Sequence, residues 1–91
     1  GYSADAYADR VAPGSAGYYV TAGVYGEQEN ADKMAQKLNA QGISARAFRD
    51  PKNNMVYVYL LKFGSYEEAS AARQSNLNGQ YTGKLWVKVI Q

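Results

Sequence analysis

Two stretches of this chain say nearly the same thing. "YYVTAGVYGEQENA", starting at Tyr18, and "YVYLLKFGSYEEA", starting at Tyr57, align so that Tyr19 meets Tyr57 and Val20 meets Val58. In the same register Tyr25 meets Phe63, Gly26 meets Gly64, Glu29 meets Glu67 and Ala31 meets Ala69. Each stretch runs an aromatic and β-branched segment into a glycine and then into an acidic helix start. A strand followed by one helix cannot bury its own apolar faces, so two such units must pack against each other as one domain.

The rest of the chain fits that doubling. Tyr18 to Tyr25 reads as a strand between Gly17 and Gly26, with Val20 and Ala22 on one face and Tyr19 and Thr21 on the other. Ala31, Met34, Ala35 and Leu38 fall at i, i+3, i+4 and i+7, the apolar stripe of a helix. Glu29 and Lys33 stand four apart on its solvent side. Gly42 sits where a glycine closes a helix, and Ile43 follows as the contact back onto it. Ser44 to Arg49 alternates weakly and reads as an edge strand, and Asp50 to Asn54 reads as a turn.

"MVYVYLLKF" is the third strand, with Val56, Val58 and Leu60 on one face and Met55, Tyr57 and Tyr59 on the other. Ser65 and Glu68 form a capping-box pattern that opens a second helix through Ala69, Ala72 and Arg73, ending at Asn78-Gly79. Leu85 to Ile90 is the last strand, with Leu85, Val87 and Val89 set against Trp86, Lys88 and Ile90. The order βαββαβ predicts an α+β fold of the split βαβ, RNP/ferredoxin-like type. Its four-stranded antiparallel sheet has the first and third strands in the middle and both helices on one face. "GYSADAYADRVAPGSAG", residues 1–17, shows no organising period and reads as a flexible linker or lead-in. Residues 18–91 form the domain.

Two helices cover only one side of such a sheet. The other side carries Tyr19, Thr21, Met55, Tyr57, Tyr59, Trp86 and Lys88. A solvent-facing sheet usually shows small polar and charged residues there, whereas this chain places three of its nine tyrosines and its one tryptophan on it. Rings with a hydrogen-bonding handle suit a ligand with apolar faces and polar edges, such as a sugar or a base. The plain structural account is that the rings form cross-strand pairs, each contributing about 0.2–1 kcal/mol.

In this order and spacing the pieces resemble the SPOR domain. The aromatic first strand ends in Gly-x-aromatic, here Gly23-Val24-Tyr25. A helix beginning at Glu29, Asn30 and Ala31 closes on Leu38 and Gly42, and the third strand runs through Phe63 into Glu67, Glu68 and Ala69. The resemblance, covering about Tyr18 to Ile90, implies a non-catalytic module that binds peptidoglycan glycan strands stripped of their peptides, as at division septa. It places the domain in the periplasm or cell envelope of a bacterium, within a larger exported or membrane-anchored protein, with other envelope or division proteins as further partners. Where the family carries a first-strand Gln, a following Ser, and an aromatic and Arg on the third strand, this chain has Thr21, Val24, Met55 and Tyr57. Joined with the open-face rings Tyr19, Tyr59 and Trp86, these positions give the expected glycan-binding set, Tyr19, Thr21, Val24, Met55, Tyr57, Tyr59 and Trp86, and the departures from the family pattern suggest a branch that reads sugars more by stacking.

Other classes fit less well. An RNA-binding module of the RRM type shares the βαββαβ order, but the third strand lacks its basic-Gly-aromatic-Gly run. The net charge of +2 is also small for tracking phosphates. With no histidine and no cysteine, the commonest general base and the usual thiolate and imidazole metal ligands are missing, and no metal or cofactor is expected. Phosphate-loop spacings are absent. Glycoside hydrolysis needs two carboxyl groups about 5–10 Å apart across a cleft, and the acids concentrate at the helix starts, where the dipole accounts for them. No apolar run is long enough to cross a bilayer, so the domain itself is expected to make no membrane contact. The remaining alternative is a protein-interaction module that docks a partner on the same aromatic face.

Overall fold

In the computed structural model, which describes residues 14–91, β1 (Gly17–Tyr25) and β3 (Met55–Phe63) lie side by side at the centre of one sheet. β2 (Arg46–Asp50) flanks β3 and β4 (Trp86–Ile90) flanks β1, giving the order β2-β3-β1-β4 with every neighbour antiparallel. Helices α1 (Gln28–Ala40) and α2 (Tyr66–Gln74) connect the strands. α1 packs on β1, β2 and β3, and α2 on β1, β3 and β4, so both lie on the same face. The α+β, split βαβ architecture expected from the doubled sequence is the one observed. Of the lead-in expected over residues 1–17, residues 1–13 lie outside the described residues.

The apolar stripes work as their spacing predicts. Ala31, Ala35 and Leu38 of α1 and Ala69 and Ala72 of α2 are buried against Val20, Val56, Val58, Leu60, Leu61 and Phe63 of the sheet. Small helical side chains let both helices approach the strands closely. Gly42, at φ +84°, closes α1: its N–H donates to Asn39 C=O, and Ile43 N–H donates to Leu38 C=O at 3.0 Å. Ser65 caps α2, accepting from Glu68 N–H and donating to the Glu68 carboxylate.

β1 starts one residue early, at Gly17, and β4 one residue late, at Trp86, and three further boundaries differ from the sequence expectation for identifiable reasons. β2 starts at Arg46 because Asn39 brackets the backbone of Ala45, accepting from its N–H at 2.8 Å and donating to its C=O at 3.2 Å. Those groups are thereby withdrawn from the sheet ladder. At the other end β2 includes Asp50, whose carboxylate takes the Lys52 N–H at 2.9 Å to start the turn. α2 stops at Gln74, short of Asn78-Gly79, and Asn76, Leu77, Asn78 and Gly79 make one left-handed turn at φ 51–82°. That conformation is unfavourable for residues with a Cβ. Here it buries Leu77 and lets Asn76 donate to Gly83 C=O at 3.0 Å.

The central pair carries two β-bulges that alternation alone does not reveal. Val20 pairs with Leu61 and Thr21 with Tyr59, leaving Leu60 as the extra residue on β3. Thr21 pairs with Tyr59 and Gly23 with Val58, leaving Ala22 extra on β1. Each bulge shifts the in/out phase by one residue. Leu60 and Leu61 consequently both join the helix-side core, and Lys62 turns to the opposite face beside Tyr19. On β1 the same shift moves Val24 to that face, opposite Tyr57.

Candidate functional site

On the face away from the helices, strand pairing arranges the side chains in rows. Lys62, Tyr19 and Lys88 form one row, and Arg46, Tyr59, Thr21 and Trp86 the next. Phe48, Tyr57 and Val24 follow, then Asp50 and Met55. Directly opposed residues share a face, so this placement follows from register.

Four rings gather into a second core. Phe48 is its hub, with centroids 4.7 Å from Tyr19, 5.7 Å from Tyr59 and 5.7 Å from Tyr57, the last nearly stacked at 27°. Tyr19 and Tyr59 meet edge to face at 4.9 Å and 86°. Met55 and Ile90 pack against the cluster. The rings are not laid bare to solvent: Tyr19 is 0% exposed, Tyr59 2%, Phe48 6% and Tyr57 7%.

Two ammonium groups lie over this cluster. Lys62 Nζ is 4.9 Å from the Tyr19 centroid and Lys88 Nζ is 4.7 Å from that of Tyr57, both within cation–π range. Lys88 also forms an ion pair with Asp50, which stands on the opposite edge strand. Desolvation works against the charged Lys88, but hydrogen bonds to Asp50 and Tyr57 outweigh it and its pKa is raised. The Lys52 N–H, with Lys88 adding to it, holds the Asp50 carboxyl below its ordinary value against the effect of burial. Burial pushes the Tyr19 phenol up, and its bonds to Ser15 and Gly14 only partly offset this. Tyr19 is therefore a neutral hydrogen-bonding group at any physiological pH.

The chain entering β1 passes over the same face. Gly14 N–H donates to the Tyr19 hydroxyl at 3.1 Å, and that hydroxyl donates to Ser15 C=O at 2.6 Å. Lys62 Nζ donates to the Ser15 hydroxyl. A side chain at Gly14 would stand 3.4 Å from the Phe48 ring.

The seven residues singled out from the sequence divide into floor and rim. Tyr19, Tyr57, Tyr59 and Thr21 form the buried floor. The Thr21 hydroxyl donates to the carbonyl of Tyr19 at 3.0 Å, and the Tyr57 hydroxyl accepts from Asn53 at 2.7 Å. Val24 is 41% exposed, while Met55 and Trp86 are half-buried. Trp86 stands opposite Thr21 and outside the four-ring cluster. Phe48 and Lys62 were not among those seven. Alternation in "RAFRD" puts Phe48 on the face of Arg46 and Asp50, a signal in the sequence that acquires meaning only once β2 is registered on Tyr57. Lys62 carries no such signal, because its face depends on the Leu60 bulge. Among the described residues, no group of three or more His, Cys, Asp or Glu side chains could hold a metal.

The family model of the SPOR domain matches residues 14–85. The chain belongs to the SPOR domain family. Trp86 and Lys88, on β4, fall just beyond the matched stretch of this SPOR domain. SPOR domains are peptidoglycan-binding modules, generally non-catalytic, that occur in bacterial envelope proteins. No curated protein and no solved structure matched the chain. Among the described residues, no helix is long and apolar enough to cross a membrane.

Proposed function

We propose that this SPOR domain tethers a larger periplasmic or envelope protein to the cell wall by holding a glycan strand on the aromatic face of its sheet. The observation that carries the reading is the four-ring cluster on the face the helices leave uncovered, with two lysine ammonium groups over its tyrosines. In this reading Tyr19, Tyr57 and Tyr59 shape the floor, Thr21 stiffens it, and Val24, Met55 and Trp86 form the rim that meets the sugar. Stacking supplies apolar contact, and the partly exposed Lys88 ammonium, besides its bond to Asp50, supplies a donor for a sugar hydroxyl. Glycan stripped of peptide, the form found at division septa, is the expected ligand, because removing the peptide bares the sugar faces for the rim side chains to stack on. No chemical step is required of the protein.

Co-sedimentation with purified sacculi, with and without amidase treatment, tests this. Pelleting that rises after peptide removal is the expected result. Equal pelleting on both would mean a general wall binder. No pelleting on either would retire the glycan reading and leave the face to a protein partner.

A further inference from the structure

Tyr19 and Lys62 together hold the segment that leads into β1. The Tyr19 hydroxyl takes one amide N–H, from Gly14, and gives its proton to one amide C=O, that of Ser15. The Lys62 ammonium takes a primary hydroxyl, that of Ser15. Phe48 lies against the Gly14 Cα, with no side chain between. Gly17 completes the path, since a Cβ there would stand 2.6 Å from Lys62 Cε and 3.3 Å from the Phe63 carbonyl oxygen. The lysine stem therefore runs beneath the chain and delivers its ammonium to Ser15. An N-acetylated amino sugar can replace them: its acetamido makes one of the two Tyr19 bonds, a hydroxyl makes the other because the N–H and C=O of one trans amide point opposite ways, a further hydroxyl meets Lys62, and a C–H face meets the Phe48 ring.

We propose that Tyr19, Lys62 and Phe48 form a subsite for the N-acetylated amino sugar, and that Gly14–Ser15 fills it as the chain's own stand-in, so that segment and glycan exclude each other. This inference rests on the glycan reading above and adds a regulatory step to it. The apparent affinity is the intrinsic affinity scaled by the fraction of molecules in which the segment has lifted. Anything that loosens the segment strengthens binding without touching the sugar contacts.

Gly14 gives a means of loosening it in the full chain. Its φ of +86° is in the left-handed region, which a residue with a Cβ adopts at a cost, and the added methyl would press on Phe48 at 3.4 Å. Gly14→Ala lies outside both helical core stripes and leaves the sheet intact. Pelleting on amidase-treated sacculi is expected to tighten about fivefold in Gly14→Ala. Lys62→Met keeps the buried stem and removes the ammonium; in the Gly14→Ala background it is expected to return binding to or below the wild-type level. In NMR spectra of the wild type, the Gly14 amide is expected to lose its exchange protection when the tetramer of N-acetylglucosamine saturates the protein.

Wild-type pelleting that Gly14→Ala leaves unchanged, with Gly14 still protected at saturation, would overturn the competition while the glycan reading stands. No pelleting by any variant would overturn both.

Discussion

Lys88, on one edge strand of the sheet, holds Asp50, on the opposite edge strand, with Nζ and Oδ2 3.2 Å apart. In a flat sheet those strands would be three spacings of about 4.8 Å from each other, too far for a lysine and an aspartate to meet. The contact requires a strongly coiled sheet whose opposite corners close over one face. The two bulges in the central pair supply that coiling, because each bulge adds local twist. The same curvature draws the four rings together, and Gly14 and Ser15 cover Tyr19 and Phe48 in addition. Bulges, ion pair and ring cluster are one geometric fact seen at three scales.

The Asp50 carboxylate has a pH signature. The folded-state pKa of Asp50 is lowered, by the Lys52 N–H first and Lys88 after it. The unfolded chain therefore takes up the proton first as the pH falls. The stabilising contribution is complete above the ordinary carboxylate value near 4 and is lost as pH falls through the lower folded value. Asp50→Asn is expected to lower Tm at pH 7, and its gap from the wild type should narrow below about pH 4. A gap that stays constant down to pH 2 would show that the charge of Asp50 contributes nothing.

Phe48 is the residue on which the ring cluster turns, touching Tyr19, Tyr57 and Tyr59 at once. Removing a buried ring costs about 3–5 kcal/mol through lost transfer energy and the cavity left behind. Phe48→Ala is expected to destabilise the domain by about 3 kcal/mol, read as a lower midpoint in urea with an unchanged slope. Phe48→Leu should recover most of the loss. A Phe48→Ala midpoint within error of the wild type would mean the cluster is a surface and not a second core.

Much of this was legible in the sequence. The doubling of Tyr-Val strand and Glu-Ala helix start identified the two units, and the i, i+3, i+4, i+7 run of Ala31, Met34, Ala35 and Leu38 identified the buried helix face. The aromatic side of the sheet followed from alternation in β1 and β3. Its depth did not. Period-2 reasoning assumes unbroken pairing, and the bulges at Ala22 and Leu60 break it. Rings on a flat sheet would be exposed, whereas rings on this coiled one pack on each other. The role of Gly14 and Ser15 was equally hidden, since their contacts are with Tyr19, Phe48 and Lys62 on three different strands.

Asn39 illustrates a side chain that decides where a strand begins. Its amide satisfies both backbone groups of Ala45, a buried residue just outside the sheet ladder. Asn39→Ala leaves a buried N–H and C=O without that partner, at a cost of about 1–3 kcal/mol. Asn39→Asp keeps the acceptor for Ala45 N–H and loses the donor, and should cost less. Chemical denaturation of the two variants checks the order. Equal losses would mean that the Ala45 N–H bond carries none of the effect.

Trp86 separates binding from folding better than any tyrosine of the face. Tyr57→Ala would remove a ring stacked on Phe48 and weaken the fold together with any ligand contact. Trp86 is half-buried, stands opposite Thr21 on the edge strand, and lies outside the four-ring cluster. If it stacks on sugar, its loss removes about 1 kcal/mol of binding, close to fivefold in affinity. Trp86→Ala is therefore expected to pellet about fivefold less tightly with amidase-treated sacculi, while its circular dichroism spectrum matches the wild type and its Tm falls less than that of Phe48→Ala. Unchanged pelleting would move the sugar contact off β4 and onto the Val24–Met55 side of the rim. A fall in Tm as large as that of Phe48→Ala would make Trp86 a structural ring.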